Sequence, residues 1–121
     1  KKIKIIKNIT NIKKFLKNCD AFILTSRFEG LPNVLLEAQI MKKFIISSNC
    51  PTGPREILMN GKAGYLFKNN NLLDLKIKIK KFILQRNTNQ IFKKIKIGYK
   101  NLDRFDANKN LEKYYKEIIK L

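Results

Sequence analysis

Residues 21–38 constrain the fold more than any other part of the chain, because three structural signals follow one another there without a gap. Residues 21–25 are uncharged and β-prone, which is typical of a short strand buried on both faces. A turn containing Gly30 and Pro32 comes next, and residues 33–41 are apolar at most positions, which predicts a short buried helix. Pro32 suits the first turn of that helix, where its missing N–H would have no partner anyway. The stretch therefore predicts a strand, a tight turn and a helix N-terminus.

Further strand and helix signals alternate along the rest of the chain. Strands are predicted at residues 44–47 and 65–67, and the alternation of Lys and Ile over residues 1–6 is also a strand signal. Residues 76–80 alternate as well, but the length of the surrounding segment favours a helix. Helices are predicted at residues 10–18, 55–59 (opened by Pro54), 72–85, 89–99 and 108–121. This order predicts an α/β fold with a parallel sheet and flanking helices.

In such a sheet, ligands bind beyond the carboxyl ends of the strands. The segments 26–32 and 48–53 both lie at that edge, so we expect two loops to form one wall of a binding site. The backbone N–H groups of Asn33, Val34 and Leu35 would face the same region, because the first N–H groups of a helix lack partners within the helix. A helix N-terminus of this kind binds phosphate or another anion.

Two carboxylates, Glu29 and Glu37, stand eight positions apart across the turn. Glu29 lies ahead of the helix, and Glu37 falls on the same helical edge as Asn33, with its side chain leaning back toward the N-terminus. A carboxylate in a buried setting needs hydrogen bonds or a counter-charge, and a pair of vicinal hydroxyls supplies such bonds. The alternative is that Glu29 caps the helix electrostatically while Glu37 pairs with Lys42 or Lys43. Spacing alone does not choose between these interpretations.

The segment Glu29-Gly-Leu-Pro-Asn-Val-Leu-Leu-Glu37-Ala resembles the E-x7-E motif of family-four retaining glycosyltransferases, which have the GT-B fold. Its flanks agree with the family. Residues 19–26 look like the lead-in of an aspartate, a strand and a serine, and residues 43–48 look like the strand after the motif helix. Residues 50–58 and 60–67 look like the next loop, helix and strand, in a version similar to enzymes that build bacterial surface glycans. The resemblance is specific from about residue 12 to residue 67.

The resemblance implies that residues 1–121 are a partial nucleotide-sugar-binding domain, with a core motif region at 12–67 and a helical tail at 72–121. Its fold would be the Rossmann-like parallel sheet with flanking helices of the carboxy-terminal GT-B domain. The first strands of that domain and the acceptor-binding domain are expected upstream of Lys1.

The implied activity is hexosyltransferase-type: transfer of a sugar, with retention, from a nucleotide-sugar to a hydroxyl of a glycan or lipid-linked acceptor. Capsule, lipopolysaccharide or other bacterial surface-glycan synthesis is the expected setting, and the donor is expected to be UDP-linked. Glu29 would be catalytic beside the transferred sugar, and Glu37 would hold the ribose hydroxyls. The remaining donor contacts would come from Gly30, Leu31, Asn33, Val34 and Leu35. Arg55 is a further candidate for the diphosphate; its alternative is a solvent-facing side chain or a pair with Glu56.

No metal or other cofactor is expected, because the sequence has neither histidine nor an Asp-x-Asp pair. The net charge of +18 suggests an anionic partner, although a chain rich in Lys, Ile and Asn also fits an A/T-rich genome. Peripheral contact with an anionic membrane would gain about 1 kcal/mol per well-placed Lys or Arg.

Two other functions compete with the enzyme. The first is a truncated donor-binding fragment that is catalytically incompetent. The second is a basic nucleic-acid-binding module, against which no Arg-rich or aromatic-interleaved stripe is found, so nucleic acid is not an expected partner. The sequence also has no apolar run of about 20 residues and no signal-peptide pattern. With two cysteines and no disulfide framework, we expect a cytoplasmic setting, at the inner membrane face if the membrane contact forms.

Overall fold

A computed structural model describes residues 2–120, which form a parallel sheet between two groups of helices. The strands are β1 (Ala21–Leu24), β2 (Phe44–Ser48) and β3 (Tyr65–Phe67), in the spatial order β1-β2-β3. Both strand pairs are parallel, with Ala21 opposite Phe44 and Ile46 opposite Tyr65. The predicted α/β fold with a parallel sheet and flanking helices is confirmed.

Strand β2 lies at the centre of the core, and all five of its residues are buried. One face of β2 carries Ile45, which packs with residues of α1 (Lys13–Leu16), α2 (Asn33–Ile40) and α3 (Pro54–Ile57). Phe44 and Ile46 belong to a second cluster, with residues of α4 (Leu72–Gln85) and α5 (Asn89–Lys100). Each such side chain contributes about 1.5–3 kcal/mol on burial, so β2 holds the two helical layers together.

The prediction that the first strand is buried on both faces is wrong. β1 lies at the edge of the sheet within the described residues and pairs with β2 alone. Its residues are half-buried or exposed, and Ile23 keeps 39% of its surface accessible. An edge strand and a central strand have similar sequences here, and strand order decides which one is enclosed.

The predicted helix at 33–41 forms as α2 and ends at Ile40, but it is buried on one side only. Leu35, Ala38 and Gln39 are buried, whereas Asn33 and Ile40 are exposed. Pro32 is not in the first turn as predicted. It precedes the helix as its N-cap, with extended angles of φ −73° and ψ 103°.

The helical tail follows the prediction closely. α4 has the predicted bounds and is capped by Asn71, whose side chain accepts a hydrogen bond of 2.8 Å from the Asp74 N–H. Residues 76–80 are helical despite their strand-like alternation of Lys and Ile, because the capped helix brings Phe82 into the core. α5 is one residue longer than the predicted helix at 89–99. The last helix, α6 (Ala107–Ile118), begins one residue before the predicted 108–121 and ends earlier. Leu121 lies outside the described residues.

The amino-terminal predictions hold only in part. The helix predicted at 10–18 is reduced to α1, because Leu16 is the only buried residue of that segment. Residues 2–6 form no strand, and Lys1 lies outside the described residues. Ile3 and Ile5 are exposed by 90% and 82%, and a strand without a neighbour leaves its backbone groups unpaired. Among residues 2–120, we find no helix that combines the length and the apolarity needed to cross a membrane.

Candidate functional site at the carboxyl edge of the sheet

Three loops meet where the strands end, at what we call the carboxyl edge. They are residues 25–32 after β1, residues 49–53 after β2 and residues 68–71 after β3. The predicted meeting of the first two loops at this edge is confirmed by direct contacts between them, and the third loop joins them.

Two hydroxyl groups hold the loop after β1 against the loop after β2. Ser48, the last residue of β2, donates from Oγ to the Ser26 carbonyl oxygen at 2.5 Å. Thr52 donates from Oγ1 to the Glu29 carbonyl oxygen, also at 2.5 Å. The carbonyl groups on both sides of the turn are therefore fixed by side chains from another loop.

A close backbone approach and an amide complete this arrangement. Gly53 has φ +86°, and a Cβ at this position would overlap the Gly30 carbonyl oxygen and lie 2.7 Å from Pro32 Cδ. From the third loop, Asn69 donates from Nδ2 to the Arg27 carbonyl oxygen at 2.9 Å. Sequence reasoning missed the contributions of Ser48, Thr52 and Asn69. Their only signal is that each is a small polar residue within a few positions of a strand's end.

Glu29 lies in the loop after β1, at the carboxyl edge. Its side chain is half-buried, and Oε1 accepts a hydrogen bond of 2.7 Å from Ser26 Oγ. No side chain within the described part of the chain caps the N-terminus of α2 by a hydrogen bond, so Glu29 is not a hydrogen-bonding cap. Its carboxylate is oriented by the strand-end serine.

Glu37 lies on α2, one turn into the helix, and is half-buried. The alternative pairing with Lys42 or Lys43 is not formed. Lys43 donates from Nζ to the Lys17 carbonyl oxygen at 3.1 Å, and the Lys42 ammonium lies 4.7 Å from the centre of the Tyr99 ring. Across residues 2–120, Glu37 has neither an ion-pair partner nor a side-chain hydrogen bond, so its acceptor capacity is open.

The N-terminus of α2 offers fewer N–H groups than predicted. Leu35 donates its N–H to the Pro32 carbonyl oxygen at 3.0 Å and is therefore already paired. The N–H groups of Gly30, Leu31, Asn33 and Val34 have no acceptor among the described residues. Unpaired N–H groups at a helix N-terminus can bind an anion by donating hydrogen bonds to it.

Arg55, on α3, is exposed and does not pair with Glu56 in the described part of the chain. Its Nε donates to Asn49 Oδ1 at 3.0 Å, in the loop after β2. With Thr52 and Arg104, it lines an open groove of about 490 Å³ beside the loops. Its guanidinium thus stands close to the carboxyl edge and remains accessible.

The opposite end of the sheet, the amino edge, has a cavity of about 450 Å³. It is lined by Cys19, Asp20, Lys43, Phe44 and Arg86, among others. Burial raises the pKa of the Cys19 thiol, and the nearby Lys43 charge opposes this rise. Within residues 2–120, no group of three or more His, Cys, Asp and Glu side chains is placed to hold a metal ion.

The sequence matches the family described as "Glycosyl transferases group 1" over residues 1–98, and the chain belongs to this family. It is 43% identical over 56 residues to a lipopolysaccharide 1,6-galactosyltransferase of Salmonella typhimurium, covering 46% of this chain and 16% of that protein. It is also 40% identical over 70 residues to N,N'-diacetylbacillosaminyl-diphospho-undecaprenol alpha-1,3-N-acetylgalactosaminyltransferase of Campylobacter jejuni, covering 58% of this chain and 18% of that protein. The chain thus spans less than a fifth of these relatives.

Solved structures agree with this membership. A glycosyltransferase from Rickettsia africae superposes with a TM-score of 0.80 at 29% identity, over 97% of this chain and 32% of that one. Anabaena HepE, solved in complex with UDP, superposes with a TM-score of 0.74 at 20% identity, over 89% and 29% of the two chains. The described residues therefore have the Rossmann-like α/β fold of GT-B glycosyltransferases.

Proposed function

We propose that the protein containing this chain is a retaining glycosyltransferase and that residues 1–121 form part of its donor-binding domain. It would transfer a sugar from a nucleotide-sugar to a hydroxyl group during surface-glycan synthesis. The observation that carries this proposal is the placement of Glu29 at the carboxyl edge, beside the unpaired N–H groups at the start of α2, in a chain of this family.

The donor diphosphate is the part of the substrate that this edge fits best. The N–H groups of Gly30, Leu31, Asn33 and Val34 would donate to its oxygens, and the dipole of α2 would favour its negative charge. The leaving nucleoside diphosphate gains charge as the sugar departs, so these donors would stabilise the transition state more than the ground state. Arg55 would add a guanidinium from the neighbouring groove.

The two glutamates would take different parts of the donor. Glu29, oriented by Ser26, would lie beside the transferred sugar and support the positive charge that develops at its anomeric carbon. Glu37 would accept hydrogen bonds from the two ribose hydroxyls, which fits a half-buried carboxylate without a protein partner. Neither role needs a metal ion or another cofactor.

The acceptor is proposed to be a glycan or a lipid-linked sugar. The names of the Salmonella and Campylobacter relatives refer to lipopolysaccharide and to a diphospho-undecaprenol compound, respectively. A chain with a net charge of +18 would be drawn to anionic lipid headgroups, where such acceptors are held. No nucleic-acid partner is proposed, and the expected setting is the cytoplasmic face of the membrane.

A second candidate is a donor-binding fragment that transfers no sugar, since the chain spans less than a fifth of these relatives. Both candidates predict nucleotide binding, and only the enzyme predicts transfer. We therefore separate a binding test on this chain from a kinetic test on the protein that contains it.

The binding test is calorimetric titration of UDP and GDP into the wild-type chain, Glu37→Ala and the control Glu112→Ala, whose exposed side chain lies on α6. We expect one nucleotide to bind, and Glu37→Ala to weaken it by about 10- to 100-fold through the loss of charge-assisted hydrogen bonds. Glu112→Ala should bind as the wild type does. Equal affinity of all three proteins would contradict the role of Glu37.

The kinetic test uses the complete protein. Glu29→Ala is expected to lower kcat by about 100-fold or more, since it removes a group that acts mainly in the transition state. Glu37→Ala is expected to raise KM for the donor with a smaller effect on kcat. The reverse pattern would contradict the assignment of the two roles, and no transfer by the wild type with any donor would favour the fragment.

A further inference from the structure

The Thr52 hydroxyl meets the turn at the peptide that joins Glu29 to Gly30. In a trans peptide unit the C=O and N–H bonds point in opposite directions. Thr52 Oγ1 donates to the Glu29 carbonyl oxygen, so the Gly30 N–H of the same peptide points away from Thr52. Among the described residues this N–H has no acceptor.

Gly30 makes this peptide easy to turn. A residue without Cβ allows a wide range of φ and ψ, so the peptide plane before it is weakly restrained by local sterics. Packing adds little restraint, because a Cβ at Gly30 would meet nothing within 4 Å. The orientation of the Gly30 N–H therefore depends on contacts of the neighbouring carbonyl groups.

Those contacts come from two consecutive residues of the loop after β2. Thr52 bonds the Glu29 carbonyl, and Gly53 lies so close to the Gly30 carbonyl that it leaves no room for a Cβ. The Gly30 carbonyl and the Leu31 N–H share one peptide, which the approach of Gly53 restrains in the same way.

We propose that Thr52 is a positioning residue of the donor site, which fixes the Glu29–Gly30 peptide so that the Gly30 N–H faces the donor diphosphate. The inference rests on the proposed function, since it assumes that the diphosphate lies at this edge. Ser48 and Asn69 anchor the loop at Ser26 and Arg27. Loss of the Thr52 hydroxyl therefore acts on one peptide while the rest of the loop stays held.

Three variants of the full chain test this role. Thr52→Val replaces the hydroxyl by a methyl group of similar size, and Thr52→Ser keeps the hydroxyl. Thr88→Val is the matched control, because Thr88 Oγ1 also donates to a backbone carbonyl, that of Gln85, at 2.7 Å between α4 and α5. Thr52 and Thr88 are both exposed, so none of the three changes opens a cavity in the core.

Two quantities are measured: UDP affinity by calorimetry, and the backbone amide resonance of Gly30 by NMR without nucleotide. We expect Thr52→Val to weaken UDP binding roughly tenfold, the value of about one hydrogen bond. It should also broaden or split the Gly30 resonance, because the peptide then samples more than one orientation. Thr52→Ser should restore both quantities, and Thr88→Val should leave both unchanged.

The proposal is overturned if Thr52→Val binds UDP as the wild type does, or if binding falls while the Gly30 resonance is unchanged. It is also overturned if Thr52→Ser behaves like Thr52→Val. Absence of binding of both UDP and GDP to the wild-type chain would contradict the proposed function instead. In that case the Gly30 resonance of the Thr52 variants still decides whether this hydroxyl positions the peptide.

Discussion

The two edges of the sheet have depressions of similar size, about 490 Å³ beside the carboxyl edge and about 450 Å³ at the amino edge, but they differ in the pairing of their backbone N–H groups. At the carboxyl edge, Ser48, Thr52 and Asn69 bond carbonyl groups of the first loop, and several N–H groups there have no acceptor among residues 2–120. A negatively charged ligand is bound by hydrogen-bond donors, and the carboxyl edge offers such donors in its unpaired N–H groups.

At the amino edge, side chains also bond carbonyl groups, but backbone N–H groups are paired as well: Lys43 N–H donates to the Ala38 carbonyl oxygen. Lys43 donates to the Lys17 carbonyl, and Lys94 donates to the Gly61 carbonyl just before β3. Burial, with the nearby Lys81 charge, lowers the pKa of Lys94. Part of the large positive charge is thus engaged in structural contacts. Backbone N–H groups without acceptors among the described residues, and not concavity or net charge, therefore distinguish the candidate site.

The largest expected effect tests whether the interlocking of the loops at the carboxyl edge stabilises the fold. Gly53→Ala places a Cβ against the Gly30 carbonyl oxygen at a position with φ +86°. We expect it to lower the free energy of unfolding by about 3 kcal/mol or more, from backbone strain plus steric overlap. Urea denaturation followed by circular dichroism measures the change.

The matched control is Gly61→Ala. Gly61 has a similar φ of +91°, but a Cβ there meets nothing within 4 Å. Only the backbone strain remains, so we expect a loss of about 1 kcal/mol. Equal losses of unfolding free energy for the two variants would show that the close contact between Gly53 and Gly30 contributes nothing to stability. The carboxyl edge would then lack the tight interlocking of its loops that we describe.

A smaller effect compares the helix starts at the two edges. Asn71 is the N-cap of α4 at the carboxyl edge, and its side chain accepts a hydrogen bond from the Asp74 N–H. Thr88 is the N-cap of α5 at the amino edge, and its side chain makes no capping bond within residues 2–120. Asn71→Ala should lower the free energy of unfolding by about 1 kcal/mol, and Thr88→Ala by about half of that or less. A larger loss for Thr88→Ala in the same denaturation experiment would contradict this assignment of the caps.

Much of the fold follows from the sequence. Alternating strand and helix signals predict the parallel sheet, and the Gly30–Pro32 turn predicts a loop at the carboxyl edge. The position of Glu29 beside a strand-end serine is also accessible from spacing. These features are local in sequence, and local preferences and periodicity determine them.

The remaining features depend on contacts between segments distant in sequence. Residues 21–25 and 44–48 are both uncharged β-prone runs, and only the strand order places the first at the edge and the second in the centre. Leu35 is a local exception: its N–H is taken by an i→i−3 bond to the Pro32 carbonyl in the first turn of α2, and hydrophobic periodicity does not distinguish this bond from the usual i→i−4 bond. The role of Thr52 depends on a loop 23 residues away and has no signature of its own.

An NMR titration of the isotope-labelled chain with UDP, and with GDP if UDP does not bind, shows which edge binds the nucleotide when every backbone amide is followed. We expect saturable shifts centred on the carboxyl edge, at Gly30, Leu31, Asn33 and Val34. Amides at the amino edge, such as those of Asp20, Lys43 and Arg86, should stay in place. Shifts centred on the amino edge, or no saturable shift at any amide, would contradict the account.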